Sequence, residues 1–221
     1  MKFITTLLFL LIGSLYCQSQ NDSKHFVVHA GKADADGFPV AAARLCFSSG
    51  HCFTPPSSKT VKNYPPFGLT PRATIVTGGG NSYVLFTAEA YAGGSGSLTT
   101  LALLRDFAGK SGVIENVFPS IELSNQSEFK LLDIPEFDSM PVLITADYLW
   151  AQNETHFSHH HYRIKVFMYD YIKSIYVVRV DYVTSNKYAG LDEMDKINVI
   201  GPEKPTWTYK THHWSDKKST P

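Results

Sequence analysis

Apolar and polar residues alternate one by one through much of this chain, and a period of two predicts strands. The clearest case is His161 to Asp170, HYRIKVFMYD. Tyr162, Ile164, Val166 and Met168 fall on one face, and Arg163, Lys165, Phe167 and Tyr169 on the other. Successive side chains of a strand point to opposite faces, so this segment has one dry face and one mixed face. Ser174 to Thr184, SIYVVRVDYVT, repeats the pattern. Here Tyr176, Val178, Val180 and Tyr182 share a face, with Ile175, Val177, Arg179 and Asp181 opposite. Tyr171, Ile172 and Lys173 between them form a connection short enough for a hairpin. Ahead of both lies Pro141 to Trp150, PVLITADYLW, almost continuously apolar and aromatic, as in a strand covered on both faces. β-branched and aromatic residues crowd all three segments and disfavour helix. Three adjacent antiparallel strands are expected.

The rest of the chain carries the same signal in shorter pieces. Strands are expected at His25 to Ala30, Ala73 to Thr77, Ser82 to Tyr91, Leu98 to Phe107, Val113 to Phe118, Ser120 to Ser124 and Glu128 to Asp133. Glycine-rich turns separate several of them, including Gly78 to Asn81, Gly93 to Gly96 and Gly109 to Gly112. Pro55, Pro56, Pro65, Pro66 and Pro71 keep Thr54 to Pro71 out of any central strand and predict an irregular surface connection. Leu191 to Ile200, with mixed charge, predicts one or two helical turns, and 205–221 reads as an aromatic and then polar C-terminal tail. The expected fold is mainly β, an antiparallel meander closing into a sandwich or barrel, with at most one short helix near the C-terminus. Residues 20–204 are expected to form a single β-rich domain.

Composition adds bounds. A chain of 221 residues with 43% hydrophobic and 13% aromatic content has ample material for a core. The formal net charge is zero, with no cluster of Lys and Arg, so nucleic acid is not an expected partner.

The first residues, MKFITTLLFLLIGSLYCQSQ, read as a secretory leader over 1–19. Lys2 supplies the charged start, and Phe3 to Leu15 is apolar but too short to span a bilayer. Cys17 and Ser19 suit a small-residue cleavage site, with cleavage after Ser19. The alternative makes Cys17 a lipid-anchored N-terminus tethered by Gln18 to Lys24. No later stretch predicts a membrane span, so the expected location is secreted or periplasmic. In that oxidising setting Cys46 and Cys52, which flank the turn-like segment Phe47 to His51, are expected to form a disulfide.

The best candidate for chemistry is Glu154-x-His156-x-x-His159-His160-His161, with Glu154, His156, His159 and His161 as the expected ligands. His159 and His161 are two apart, so a strand would point them the same way. Two imidazoles and a carboxylate suit Zn²⁺ or another transition metal. Asp147 on the preceding strand could orient a ring from behind. Other motifs fail. Gly109-Lys110-Ser111 has Leu104 where a phosphate-binding loop needs glycine, and no Gly-x-Ser-x-Gly elbow occurs. Glu136 with Asp138, and Asp192 with Glu193 and Asp195, read as solvated faces. Strand aromatics read as core. Trp207, Tyr209 and Trp214 lie among polar residues and are the candidates for a binding surface.

Several phrases resemble a poorly characterised family of exported bacterial proteins. They are ARLCF at Ala43 to Phe47, VLFTA at Val84 to Ala88, AGGSGS at Ala92 to Ser97 and LSNQSEF at Leu123 to Phe129. MPVLITADYLW, ETHFSHHHYRI at Glu154 to Ile164 and KYAGLDE at Lys187 to Glu193 continue the likeness. The resemblance implies export and a single domain and carries no catalytic residues. The function expected is that of an exported, non-enzymatic β-domain binding a glycan, an envelope component or a protein partner. The alternative is a metal-dependent hydrolase built on the Glu154 to His161 loop.

Overall fold

The computed structural model describes residues 26–91, 96–106, 114–155, 157–189 and 197–216. The expected leader, Cys17 within it, and the acidic run 192–195 lie outside them. Among the described residues the fold is mainly β, with three antiparallel sheets and one helix. The first sheet is small: β1 (Phe26–His29), β2 (Arg44–Phe47) and β3 (Cys52–Phe53), in that order. Cys46 and Cys52 face each other directly in the β2–β3 register and are disulfide-bonded.

The second sheet runs β4 (Leu69–Gly78), β5 (Asn81–Tyr91), β6 (Ser97–Asp106) and β7 (Ile114–Asn116). A further strand, β8 (Ile121–Ser124), pairs with β6 alongside residues 98–101, while β7 pairs with 104–106. The expected irregular segment ends earlier than its prolines suggested, because β4 already begins at Leu69. Pro71 is accommodated since β4 is an edge strand and its register shifts between Leu69 and Arg72. A proline that cannot donate to the ladder is tolerated at such a place.

The third sheet has the order β12-β11-β10-β9, from β9 (Glu128–Leu132), β10 (Val142–Leu149), β11 (His161–Asp170) and β12 (Ile175–Val183). The three strands read most clearly from sequence are β10, β11 and β12, paired as expected. One detail differs. The β11–β12 register shifts between Val166 and Phe167, which pair with Val180 and Val178. The extra residue on β12 is Arg179, and it reverses the parity beyond it. Val180 and Tyr182 therefore pack with Ile164 and Val166, whereas Tyr176 packs with Phe167 and Tyr169 on the other face.

Alternation explains how the layers stack. Tyr83, Leu101 and Leu103 of the second sheet meet Leu143, Phe167 and Tyr176 of the third in one core. Val84, Phe86, Ala88 and Ala102 project the other way and meet Leu45 and Ala43 beneath the first sheet. The outer face of the third sheet, with Val142, Ile144, Tyr162 and Ile164, packs against Trp207 of α1 (Lys204–Asp216) and against Val199 and Ile200.

The helix α1 occupies most of the segment read as a tail, and residues 191–196 of the mixed-charge stretch expected to turn helically lie outside the described residues. The helix is held at its start. Glu203 is buried, and its carboxylate accepts hydrogen bonds from the Tyr182 and Tyr188 hydroxyls. Glu128 accepts the Val199 and Ile200 N–H groups, each at 2.8 Å. Pro205 in the first turn gives up no helical bond.

Candidate functional site

The loop from β10 to β11 does not gather its histidines. His161 opens β11, and its Nδ1–H donates to the Thr184 carbonyl at 2.9 Å. His159 is exposed, and His156 lies outside the described residues. The buried ring is the one between them. His160 has the parity of Tyr162, the dry face, and exchanges two backbone hydrogen bonds with Tyr188. Its ring sits against Tyr148 and Trp150, at centroid distances of 5.4 and 5.6 Å. Its Nδ1 is 2.9 Å from Glu154 Oε2, and its Nε2 is buried without a hydrogen-bond partner among the described residues.

Glu154 therefore serves as an anchor. Besides His160 it accepts from Lys187 Nζ at 2.8 Å and from the Ala151 N–H at 2.9 Å. The Lys187 hydrogen bond, then those of Ala151 and His160, hold its carboxyl down at about 2. Asp147 faces away from this loop, with Arg163 as its cross-strand partner, and accepts from the Ser124 and Ser127 hydroxyls. Among the described residues no three His, Cys, Asp or Glu side chains form a group suited to a metal ion.

The carboxylates read as solvated faces also divide. Glu136 is exposed, but Asp138 is buried. Asp138 accepts from the Met140 and Tyr169 N–H groups at 3.0 and 3.1 Å and from the Tyr171 hydroxyl at 2.6 Å. Its work is to tie the 133–140 segment to β11.

The three C-terminal aromatics take different positions on α1. Trp207 is buried, and its Nε1–H donates to the Ile200 carbonyl at 3.0 Å. Trp214 carries the Arg179 guanidinium 4.3 Å above its ring, which is where the extra residue of β12 goes. Tyr209 is 63% exposed and stacks on His213, with ring centroids 3.9 Å apart.

Trp207 and Tyr209 mark two adjoining hollows on this face. A cleft of about 660 Å³ opens between α1 and the segment after β9. Leu132, Ile134, Phe137, Ile200 and Trp207 give it an apolar floor. Lys130, Asp133, Glu136, Lys204 and His212 supply charged and polar groups along it. Thr208 lines it too, with a buried hydroxyl that has no hydrogen-bond partner among the described residues. Gly201, Lys204, Thr208 and His212 are shared with a shallower hollow, where Pro202, Pro205, Tyr209 and His213 extend the surface outward.

Sequence reasoning found the two aromatics but not the cleft. Ile134 and Phe137 belong to a proline-containing turn, and only the folded chain brings them to α1. A signal for the helix did exist: Trp207, Thr211 and Trp214 follow i, i+4, i+7 spacing.

Comparisons with family models, with curated proteins and with solved structures returned no match. Among the described residues no helix is long and apolar enough to cross a membrane.

Proposed function

We propose that this chain is an exported, non-enzymatic β-domain that binds an amphipathic envelope component in the α1 cleft. The observation that carries the reading is the cleft's composition. Its volume of about 660 Å³ lies within the range of small-molecule sites, and it combines an apolar floor with a few polar groups. Such a site favours a ligand with an apolar chain and a polar or charged head. Tyr209 and His213 extend the apolar surface where that head would emerge. The Cys46–Cys52 bond supports a secreted or periplasmic location, because such bonds persist in oxidising compartments. A lipid anchor at Cys17 would bring the same cleft close to a membrane surface.

The hydrolase alternative depended on Glu154, His156, His159 and His161. Glu154 is held by Lys187 and His160, and His161 by a backbone carbonyl, so no comparable observation favours it.

The test is titration of purified protein with a fluorescent fatty acid, followed by displacement with lysophospholipid. Saturable one-site binding is expected, weakened at least tenfold in Ile134→Trp, which fills the floor. Absence of saturable binding, or binding unchanged in both Ile134→Trp and Tyr209→Ala, would reject the cleft as the site.

A further inference from the structure

The opposite face of the third sheet holds a second groove, of about 420 Å³, walled by residues 119–123. Its floor is polar and comes from three strands in register. Thr145 pairs with Lys165, and Lys165 with Asp181; Asp147 pairs with Arg163. Most of these charges are already committed. Arg163 donates two hydrogen bonds to Asp181, at 2.7 and 2.8 Å. Asp147 accepts from Ser124 and Ser127. Glu122, in the wall, accepts from Ser58 Oγ at 2.7 Å and from the Lys59 and Thr60 N–H groups at 2.8 and 3.2 Å.

Two groups on the floor make no side-chain hydrogen bond among the described residues. Lys165 is half-buried and acts on its cross-strand partner Asp181 through charge alone. Thr145 is only 3% exposed and lines the groove, and no hydrogen bond engages its hydroxyl among the described residues. They are direct cross-strand partners, so an ammonium and a hydroxyl stand side by side. A ligand seated in the groove would reach both groups at once.

Charge selects the ligand class. Two cations, Arg163 and Lys165, share the groove with two carboxylates, Glu122 and Asp147, and Arg163 is already paired with Asp181. A strongly anionic ligand would meet those carboxylates, and a strongly cationic one would meet Lys165. Sugar hydroxyls both donate and accept, so an uncharged polyol matches a floor of interleaved donors and acceptors. Phe167 and Val178 add apolar contact for the C–H faces of a ring. We infer that this groove is a binding site for an uncharged glycan, with Lys165 and Thr145 as its recognition pair. The α1 cleft lies on the other face of the sheet, so the two sites stand or fall separately.

The experiment is calorimetric titration of the full protein with neutral trisaccharides (chitotriose, maltotriose, xylotriose). Trigalacturonate and the chitosan trimer serve as anionic and cationic controls. At least one neutral sugar should bind, more tightly than either charged one. Lys165→Met keeps the aliphatic stem and should weaken binding about tenfold or more, as loss of a hydrogen bond from a charged donor does. Thr145→Val, nearly the same shape, should weaken it without altering the circular dichroism spectrum and covers the case in which Lys165→Met misfolds. Ile134→Trp should leave sugar binding unchanged. The inference is overturned if no neutral sugar binds, if a charged sugar binds best, or if the folded variants bind as the parent does.

Discussion

Glu154 shows how much a single carboxylate can organise. Three donors converge on it, and its carboxyl titrates at about 2 where an ordinary glutamate titrates at 4.5. A carboxyl pKa lowered by folding stabilises the folded state above the ordinary value. That contribution is lost as pH falls from about 4.5 through about 2. Glu154→Gln should therefore lower the thermal midpoint near neutral pH and flatten its decline across that acid range. Melting curves at stepped pH would measure both effects; parallel declines for parent and variant would show that the carboxylate contributes nothing. At this scale the sequence was legible in parity more than in residue type. Spacing singled out His159 and His161, yet His160 shares its face with Tyr162 and is the histidine the fold buries. Counting possible ligands drew attention to the rings that stay near the surface.

At the level of elements, alternation identified β11 and β12, where a one-residue slip would turn a whole apolar face to solvent, and a nearly continuous apolar run identified β10. Alternation did not reveal the bulge at Arg179. An inserted residue leaves the composition of β12 unchanged and alters only which face each later side chain takes. The consequence is measurable. Val180 is 7% exposed and Val178 is 43% exposed, although strict alternation would place them together. Val180→Asp should cost about 3 kcal/mol or more, as an unpaired buried charge does, while Val178→Asp should cost under about 1 kcal/mol. Urea denaturation separates the two, and equal losses would contradict the shifted register. The β2–β3 hairpin was readable from its cysteines and turn. Replacing both Cys46 and Cys52 with serine should cost roughly 2–3 kcal/mol by chain entropy, again read from urea midpoints. The helix was harder to see. Its inward face is only a narrow line of residues, and the lysines and histidines between them gave the segment a polar appearance.

For the whole molecule, strand content and antiparallel pairing followed from local pattern, whereas the layering did not. Both faces of the second and third sheets are covered, and the partner for each face comes from a distant part of the chain. The α1 cleft has the same origin, since Leu132, Ile134, Ile200 and Trp207 meet only after α1 has docked. Local periodicity contains no information about such a meeting. Trp207 is the contact on which docking turns. Trp207→Ala should destabilise the protein by about 3–5 kcal/mol and increase binding of a hydrophobic dye as the outer face of the third sheet loses its cover. A small loss with unchanged dye binding would place the docking energy elsewhere.

The helix that covers this face follows β12 in the chain and so leaves the ribosome after the whole sheet it protects. Until it emerges, the nascent polypeptide carries Val142, Ile144, Tyr162 and Ile164 on a surface with nothing to cover it. During that interval a holdase has an obvious place to grip.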